Sequence, residues 1–384
     1  MKKDTLVPRK DFPVLKDYVY LDSASISLVP APVMEAKQAF EREIRTAGTI
    51  SLGDEEEGRA MEAPRDSSAK FLGTTSSNIS ILQNATEALL QLAWGLKPGK
   101  GTNVVSIDLE FPTVLSAWMR VAQDTGAEVR LVRALEKPAD LTFDDIAAKV
   151  DHNTAVLCVS HVQFATGNTF DLKALADLAH RHNAICIIDG TQSTGLIPIN
   201  VEDAGIDAFL TSAYKWLCGP FGVGILYVRP ELCERIDPPL AGWRSKDDMF
   251  NQPGTSLIFA KDARKFDTGG TPNYASGFAL AEAIKYMSKP GIDRNLVHVL
   301  HLTDKLRRGL EEMGADLAPK EDQLRAGIVS AHFPKRTSKE IASELRRKRI
   351  VVASRLDRLR IAPHIFNNEE DIEQVLTGIR DILS

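Results

Sequence analysis

The stretch IDAFLTSAYKW, residues 206–216, decides the fold and the chemistry expected of this chain. Its first half is a short apolar run that is typical of a buried strand. Lys215 follows among small and aromatic neighbours, just before the Gly-rich sequence GPFGVG at 219–224. We therefore expect Lys215 to lie in a crevice, where a desolvated amine has a lowered pKa and can form a Schiff base with an aldehyde cofactor. A surface lysine after a strand is the alternative.

Similar apolar runs recur along the chain and alternate with stretches of helical periodicity. The predicted strands are 79–82, 104–107, 129–132, 155–159, 185–188, 208–210 and 223–228. The predicted helices between them include 86–96, 113–124, 143–149 and 172–182. This alternation predicts an α/β fold with a mostly parallel, seven-stranded sheet covered on both faces. Ligands of such sheets bind at the carboxyl ends of the strands.

The length of 384 residues predicts two domains. After about residue 230 the pattern changes, with a Pro-containing break at 237–239 and a polar, loop-like stretch at 247–254. We predict an N-terminal segment (1–40) that packs on the small domain, a large cofactor-binding domain (41–275) and a small α+β C-terminal domain (276–384). The small domain should contain helices at 279–288 and 295–313, then two short strands and two further helices.

Composition excludes several classes of function. The net charge of −5 and the pI near 6.0 provide no basic face for nucleic acid. The chain has neither a secretory h-region nor an apolar run long enough to cross a bilayer, so we expect a cytoplasmic protein with no membrane partner. Four scattered cysteines indicate reduced thiols. His180 and His182, two residues apart, face different directions, and we predict no metal site.

A carboxylate is expected beside Lys215. Asp189 ends the apolar run 184–188, which places it at the same edge of the sheet. Pyridoxal phosphate (PLP) acts as an electron sink only while its ring nitrogen stays protonated, and a buried carboxylate maintains that state. Gln192, three residues on, is placed to donate to the ring hydroxyl. A helix N-cap is the alternative role for Asp189.

An anion site is expected at ISILQNATEA, residues 79–88. The sequence predicts a short strand, a turn and a helix opened by Thr86. Free N–H groups and the helix dipole would suit that turn to the cofactor phosphate. An ordinary helix cap formed by residues 84–87 is the alternative.

Together these motifs resemble the class V branch of fold type I PLP enzymes, whose fold is similar to that of aspartate aminotransferase. That branch holds cysteine desulfurases, kynureninases, isopenicillin N epimerase-like proteins and several aminotransferases. The resemblance spans nearly the whole chain. The matching stretches are 20–25 (YLDSAS), 84–88, 189–193, 212–215, 266–273 (FDTGGTPN) and 359–367 (LRIAPHIFN).

The resemblance implies a role for each matching residue. Lys215 would form the aldimine with PLP and move protons at the substrate Cα, while Asp189 pairs with the ring nitrogen and Gln192 with the ring oxygen. Phe111 would stack on the ring. The implied phosphate-binding residues are Ala85, Thr86, Ser212, Tyr214 and, from a second subunit, Thr271. The family's dimer implies a homodimer here.

The substrate would be an amino acid. Its α-carboxylate would be clamped by the guanidinium fork of Arg360. Ser25 would join Arg360 in binding the substrate. Arg244 indicates a polar or anionic substrate tail, with a salt-bridged boundary loop as the equal alternative.

Two departures from the desulfurase pattern bear on the reaction. Phe111 and Tyr214 stand where desulfurases carry histidines, and residues 350–361 contain no cysteine where desulfurases carry a persulfide-forming one. Our first hypothesis is therefore an aminotransferase or epimerase-like enzyme acting at Cα. The alternative is a β-lyase, for example of C–S bonds, that works without a thiol nucleophile. A non-catalytic PLP-binding protein is the third hypothesis.

Overall fold

The computed structural model describes residues 5–250, 255–320 and 323–384. Its strands, in chain order, are β1 (Val19–Tyr20), β2 (Ile79–Leu82), β3 (Asn103–Ile107), β4 (Glu128–Val132), β5 (Thr154–Ser160), β6 (Ile185–Asp189), β7 (Ala208–Ser212), β8 (Gly224–Val228), β9 (Asp316–Ala318), β10 (Val329–His332), β11 (Ile350–Val351), β12 (Ala353–Arg355) and β13 (Arg358–Ile361).

The α-helices are interspersed with the strands along the chain. They are α1 (Ala31–Ala47), α2 (Asp54–Arg59), α3 (Glu62–Leu72), α4 (Ala85–Leu96), α5 (Pro112–Thr125), α6 (Phe143–Ala147), α7 (Leu172–Arg181), α8 (Val201–Ala204), α9 (Pro230–Arg235), α10 (Tyr274–Ser288), α11 (Ile292–Glu312), α12 (Ser338–Arg347) and α13 (Glu369–Leu383). Within the described ranges, every helix is too short or too polar to cross a membrane.

The main sheet has seven strands in the order β2–β8–β7–β6–β5–β3–β4. Strand β8 is antiparallel to both of its neighbours, and the other pairs are parallel. The predicted α/β fold with a mostly parallel seven-stranded sheet is confirmed. Because the chain direction reverses on each side of β8, β2 runs the same way as β7. The carboxyl ends of β2, β7, β6, β5 and β3 therefore meet at one edge.

Alternating side chains along each buried strand fill the two faces of this sheet. In β6, Cys186 and Ile188 pack in the core with α3, α7 and α10, whereas Ile185 and Ile187 pack with α4 and α5 on the other face. Both faces are apolar because successive residues of a strand point in opposite directions. This burial holds the strand ends, and hence the residues that follow them, in fixed positions.

The C-terminal part forms a second, antiparallel sheet in the order β12–β13–β10–β9. The N-terminal part of the chain packs here, since β1 pairs in parallel with β11. Val19 and Leu21 also enter the same apolar core as α11 and α13. The domain boundaries near residues 40 and 275 stay a prediction.

Several predicted bounds were wrong. Helix α10 begins at Tyr274 and α11 at Ile292, both ahead of the predicted starts. The first turn of α10 (YASG) contains Ser and Gly and that of α11 (IDRN) is mostly polar, so neither carries a clear apolar periodicity. The C-terminal region has five strands instead of two, each of two to four residues and thus too short for a periodic signal. The predicted loop at 247–254 lies partly outside the described residues.

Gly190 should be essential to the packing behind the site. A Cβ at this position would lie 1.8 Å from the ring of Phe209, whose side chain is fully buried and cannot withdraw. Gly190→Ala is expected to lower the free energy of unfolding by roughly 1–3 kcal/mol, measured by urea denaturation. The control is Gly99→Ala, because a Cβ there meets open space. Equal unfolding midpoints for the two variants would contradict the packing argument.

Candidate active site

Lys215 lies three residues beyond the end of β7 and is only 7% exposed. Its Nζ is 5.4 Å from the ring centre of Phe111 and 5.7 Å from that of Tyr214. Burial lowers the pKa of the amine to about 8, although the nearby Asp189 carboxylate opposes the shift. The crevice expected from the sequence is present, and the surface alternative is wrong.

Asp189 ends β6 at the same edge, next to Lys215. Its Oδ1 accepts a hydrogen bond of 2.8 Å from the backbone N–H of Thr191. Burial raises the pKa of the carboxyl group, and the charge of Lys215 offsets only part of that rise. A cationic ring nitrogen would stabilise the ionised form of this carboxylate. The chemistry of Asp189 therefore fits the pyridine nitrogen of PLP.

Gln192 also lines the cleft, but its side chain is already held by the protein. Its Nε2 donates to the carbonyl of Ala24 (3.0 Å), and its Oε1 accepts from the indole N–H of Trp216 (2.8 Å). One amide hydrogen is left for a ring hydroxyl. The two bonds fix the direction of that hydrogen.

The expected anion site is formed where β2 and β7 end side by side. Helix α4 begins at Ala85, one residue earlier than predicted, because Asn84 caps it by accepting from the backbone N–H of Glu87 (2.9 Å). The N–H of Ala85 donates to Ser212 Oγ (2.9 Å), which leaves the Ser212 hydroxyl hydrogen for a ligand. Thr86 lies in the first turn and lines the cleft. Helix N-terminus and hydroxyl donors together fit a phosphate group.

Aromatic rings enclose Lys215. Tyr214 stacks on Phe221 with ring centres 4.8 Å apart, and burial raises the pKa of its hydroxyl group. Phe111 packs edge-on against Phe164 (5.6 Å) yet remains 43% exposed. The exposed ring of Phe111 is therefore available for a flat ligand to stack on.

Arg360 enters the cleft from β13 and is buried. Its guanidinium donates to the carbonyl of Phe164 (2.7 Å), to Asp22 Oδ1 (3.1 Å) and to Ser25 Oγ. Its Nε has no partner among the described residues. The structure thus brings Arg360 and Ser25 together, as the sequence predicted, and links both to Asp22.

Thr271 and Arg244 do not line this cleft within the chain. Thr271 is exposed, so its contact with the phosphate of a second subunit stays a prediction. Arg244 is buried with its guanidinium over the ring of Trp243 (5.2 Å). In the single chain, neither residue reaches Lys215.

Sequence reasoning missed two charged residues. Arg355, in β12, lines the cleft, and no local motif in its segment marks it. Glu110 lies directly before Phe111 and is buried, accepting from the backbone N–H and hydroxyl of Ser160 and from Gln163 Nε2. Burial raises its pKa to about 7. An acidic residue three residues beyond the end of the buried strand β3 was the signal that could have identified Glu110.

The cysteines are all buried. Cys218, the nearest to Lys215 in sequence, lies 3.3 Å from Ser27 Oγ and 3.6 Å from His364 Nε2. Burial raises the pKa of its thiol to about 12. Cys218 is therefore a neutral packing group, not a nucleophile.

The cleft has a volume of about 540 Å³, enough for a cofactor and an amino acid. Together with an adjoining small cavity that is lined by Asp189 and Gln192, it combines a desolvated lysine, a buried carboxylate, an exposed stacking ring and a helix N-terminus with hydroxyl donors. This fold and site define the protein as a PLP-dependent enzyme of fold type I. The chain belongs to the aminotransferase class-V family, whose model matches residues 19–357.

Similar proteins cover almost the full length of the chain. An uncharacterised aminotransferase of Bacillus subtilis, YcbU, is 28% identical over 97% of this chain and 96% of its own. A probable cysteine desulfurase of Pyrococcus abyssi is 27% identical over 98% and 96%. The apo structure of the cysteine desulfurase from Thermococcus onnurineus NA1 superposes with a TM-score of 0.87, at 26% identity, over 98% and 97%.

Replacing Lys215 should abolish the visible absorbance that PLP shows when it is bonded to a lysine amine. We expect Lys215→Ala, reconstituted with PLP, to lack this band, because no other described lysine lines the cleft. Lys100→Ala, which removes an exposed lysine, is the control. An unchanged spectrum in Lys215→Ala would overturn the assignment.

The lowered pKa of Lys215 should appear in the kinetics of PLP uptake. The neutral amine is the nucleophile, so the rate of PLP bonding to apo-protein should rise with pH and level off above about pH 8. Stopped-flow absorbance measures this rate. A rise centred near the ordinary lysine pKa of about 10.4 would show that burial does not control the amine.

Proposed function

We propose that this protein is a PLP-dependent β-lyase that cleaves a carbon–sulfur bond in an amino acid. One observation carries the proposal. Full-length relatives include desulfurases, whereas residues 350–361 of this chain contain no cysteine and include the tight hairpin β12–β13. Leu356 and Asp357 close that hairpin with φ of 49° and 52°, as a two-residue turn requires. C–S chemistry here would thus proceed without a persulfide-forming thiol.

Different groups of residues in the cleft would hold the ring and the phosphate of the cofactor. Asp189 would pair with the ring nitrogen, Gln192 with the ring oxygen and Phe111 with the ring face. The phosphate would be bound by Thr86, Ser212 and Tyr214, and Ala85 would act through its N–H, which orients the Ser212 hydroxyl group. When bound, PLP withdraws electrons from the substrate Cα and so acidifies the proton there.

Lys215 would then move the proton. With its pKa lowered to about 8, the Nζ of Lys215 would have a larger neutral fraction near neutral pH than an ordinary lysine amine. The neutral Nζ accepts the Cα proton and, as an ammonium, donates a proton to the departing sulfur. Arg360 binds the α-carboxylate and so orients the Cα–H bond toward Nζ. Overall, the substrate and one water yield pyruvate, ammonia and a thiol.

The second candidate is an aminotransferase or epimerase-like enzyme acting at Cα. It is favoured by YcbU, which is named an aminotransferase. Lys215 alone would suffice for proton transfer at Cα in either reaction. The family and the cofactor are common to both candidates, and the fate of the Cβ–S bond separates them.

We also propose that the working unit is a homodimer. The exposed Thr271 would then reach the phosphate of the partner's cofactor. Sedimentation of the holoenzyme tests the dimer, with a monomer at micromolar concentration as the contrary result.

The reaction is tested with an amino-acid panel that includes S-substituted cysteines, with and without a 2-keto-acid acceptor. We expect acceptor-independent release of pyruvate, ammonia and thiol. Cys218→Ala should retain this activity within about twofold, because its thiol is neutral and buried. Acceptor-dependent amine transfer without thiol release would favour the second candidate and contradict the lyase.

A further inference from the structure

We propose that the cleft selects an amino acid whose side chain ends in a carboxylate, with Arg355 binding this distal group and Arg360 the α-carboxylate. The inference rests on the proposed function in one respect, namely that the substrate is an amino acid bound near Lys215. It adds the chemical class of the substrate side chain.

The register of the β12–β13 hairpin places both arginines on one face. Ala353 is paired with Arg360, and Arg355 lies two residues after Ala353 on the same strand. Side chains at such positions are diagonal neighbours on the same side of a sheet. Leu359, one residue away, points instead into the C-terminal core. Both guanidiniums therefore face the cleft that contains Lys215.

The two arginines differ in depth. Arg360 is 1% exposed and held by Asp22 and Ser25, whereas Arg355 is exposed at the mouth of the cleft. A substrate amine near Lys215 would bring the α-carboxylate to the deeper arginine. Groups further along the side chain would extend toward the mouth. Arg355 is therefore placed to bind the distal end of the substrate.

Arg355 also has the weaker set of partners. Its guanidinium donates to the carbonyl of Ser354 (2.8 Å) and to Ser25 Oγ (3.2 Å), and it forms no ion pair with a carboxylate of the described residues. Arg358, on the same face, is by contrast bonded to Asp316 (3.0 Å). Of the hairpin arginines Arg355, Arg358 and Arg360, Arg355 is the one without a carboxylate partner among the described residues.

The position of the positive charge at Arg355 supports an anionic side chain. The charged groups at Lys215 are Asp189, Asp22, Arg360 and Arg355, and the positive charge of Arg355 contributes to lowering the pKa of the amine. Asp22 is paired with Arg360. An α-carboxylate at the deeper Arg360 would not contact Arg355 at the mouth, and a distal carboxylate would supply Arg355 with a partner of its own.

In the proposed C–S cleavage, the distal carboxylate belongs to the departing thiol. S-carboxymethylcysteine would then be a better substrate than S-ethylcysteine, which has a similar length and no charge. This pair of substrates tests the preference in turnover.

Binding of inert acids tests the preference without turnover. Glutarate and pentanoate have the same chain length and differ by one carboxylate, and isothermal titration calorimetry of the PLP-loaded enzyme measures the Kd of each. The wild type should bind glutarate more tightly. Arg355→Gln should weaken glutarate binding by about tenfold and pentanoate binding by less than about twofold, while Arg355→Lys should keep most of the preference.

The matched control is Arg308→Gln, an exposed arginine on α11 that does not line the cleft. It should leave both Kd values unchanged. Equal binding of the two acids by the wild type, no detectable binding of glutarate, or an equal loss of both acids in Arg355→Gln would each overturn the proposal. Because these acids carry no amine, their binding stays measurable even if the enzyme proves not to be a lyase.

Discussion

Removal of the Lys215 amine from water is the constraint on which the rest of the site depends. The turn that follows β7 holds Lys215 at this depth, because its residues Trp216, Leu217 and Cys218 are fully buried. The indole of Trp216 bonds to Gln192, so the same packing positions a residue expected to contact the cofactor ring. Burial, and not a special partner, makes this amine reactive near neutral pH.

The edge of the sheet places a second buried carboxylate near Asp189. Glu110 has three donors from Ser160 and Gln163, yet burial still raises its pKa to about 7, with the charge of Asp189 adding to the rise. Two ionised carboxylates so close would repel each other. Protonation of Glu110 below about pH 7 would relieve this repulsion, while Asp189 would stay ionised once a cation faces it.

The substrate side is built differently from the cofactor side. Cofactor contacts come from strand ends of the main sheet, whose positions are set by two apolar cores. Substrate contacts come from the β12–β13 hairpin of the second sheet and from Asp22 and Ser25, which follow β1. A change in this hairpin can alter the substrate without disturbing the cofactor. Such a division is consistent with a family in which one cofactor site serves several reactions.

The sequence by itself determined the main sheet, the order of its motifs and the central pair Lys215 and Asp189, because long buried strands have a strong periodic signal and their carboxyl ends must meet. Only the tertiary structure decided the surroundings of Arg355, Glu110 and Asp22. These residues are distant in sequence, and the strands β1 and β12 that bring two of them to the cleft have two and three residues. Strands that short form through tertiary packing, which no local pattern records.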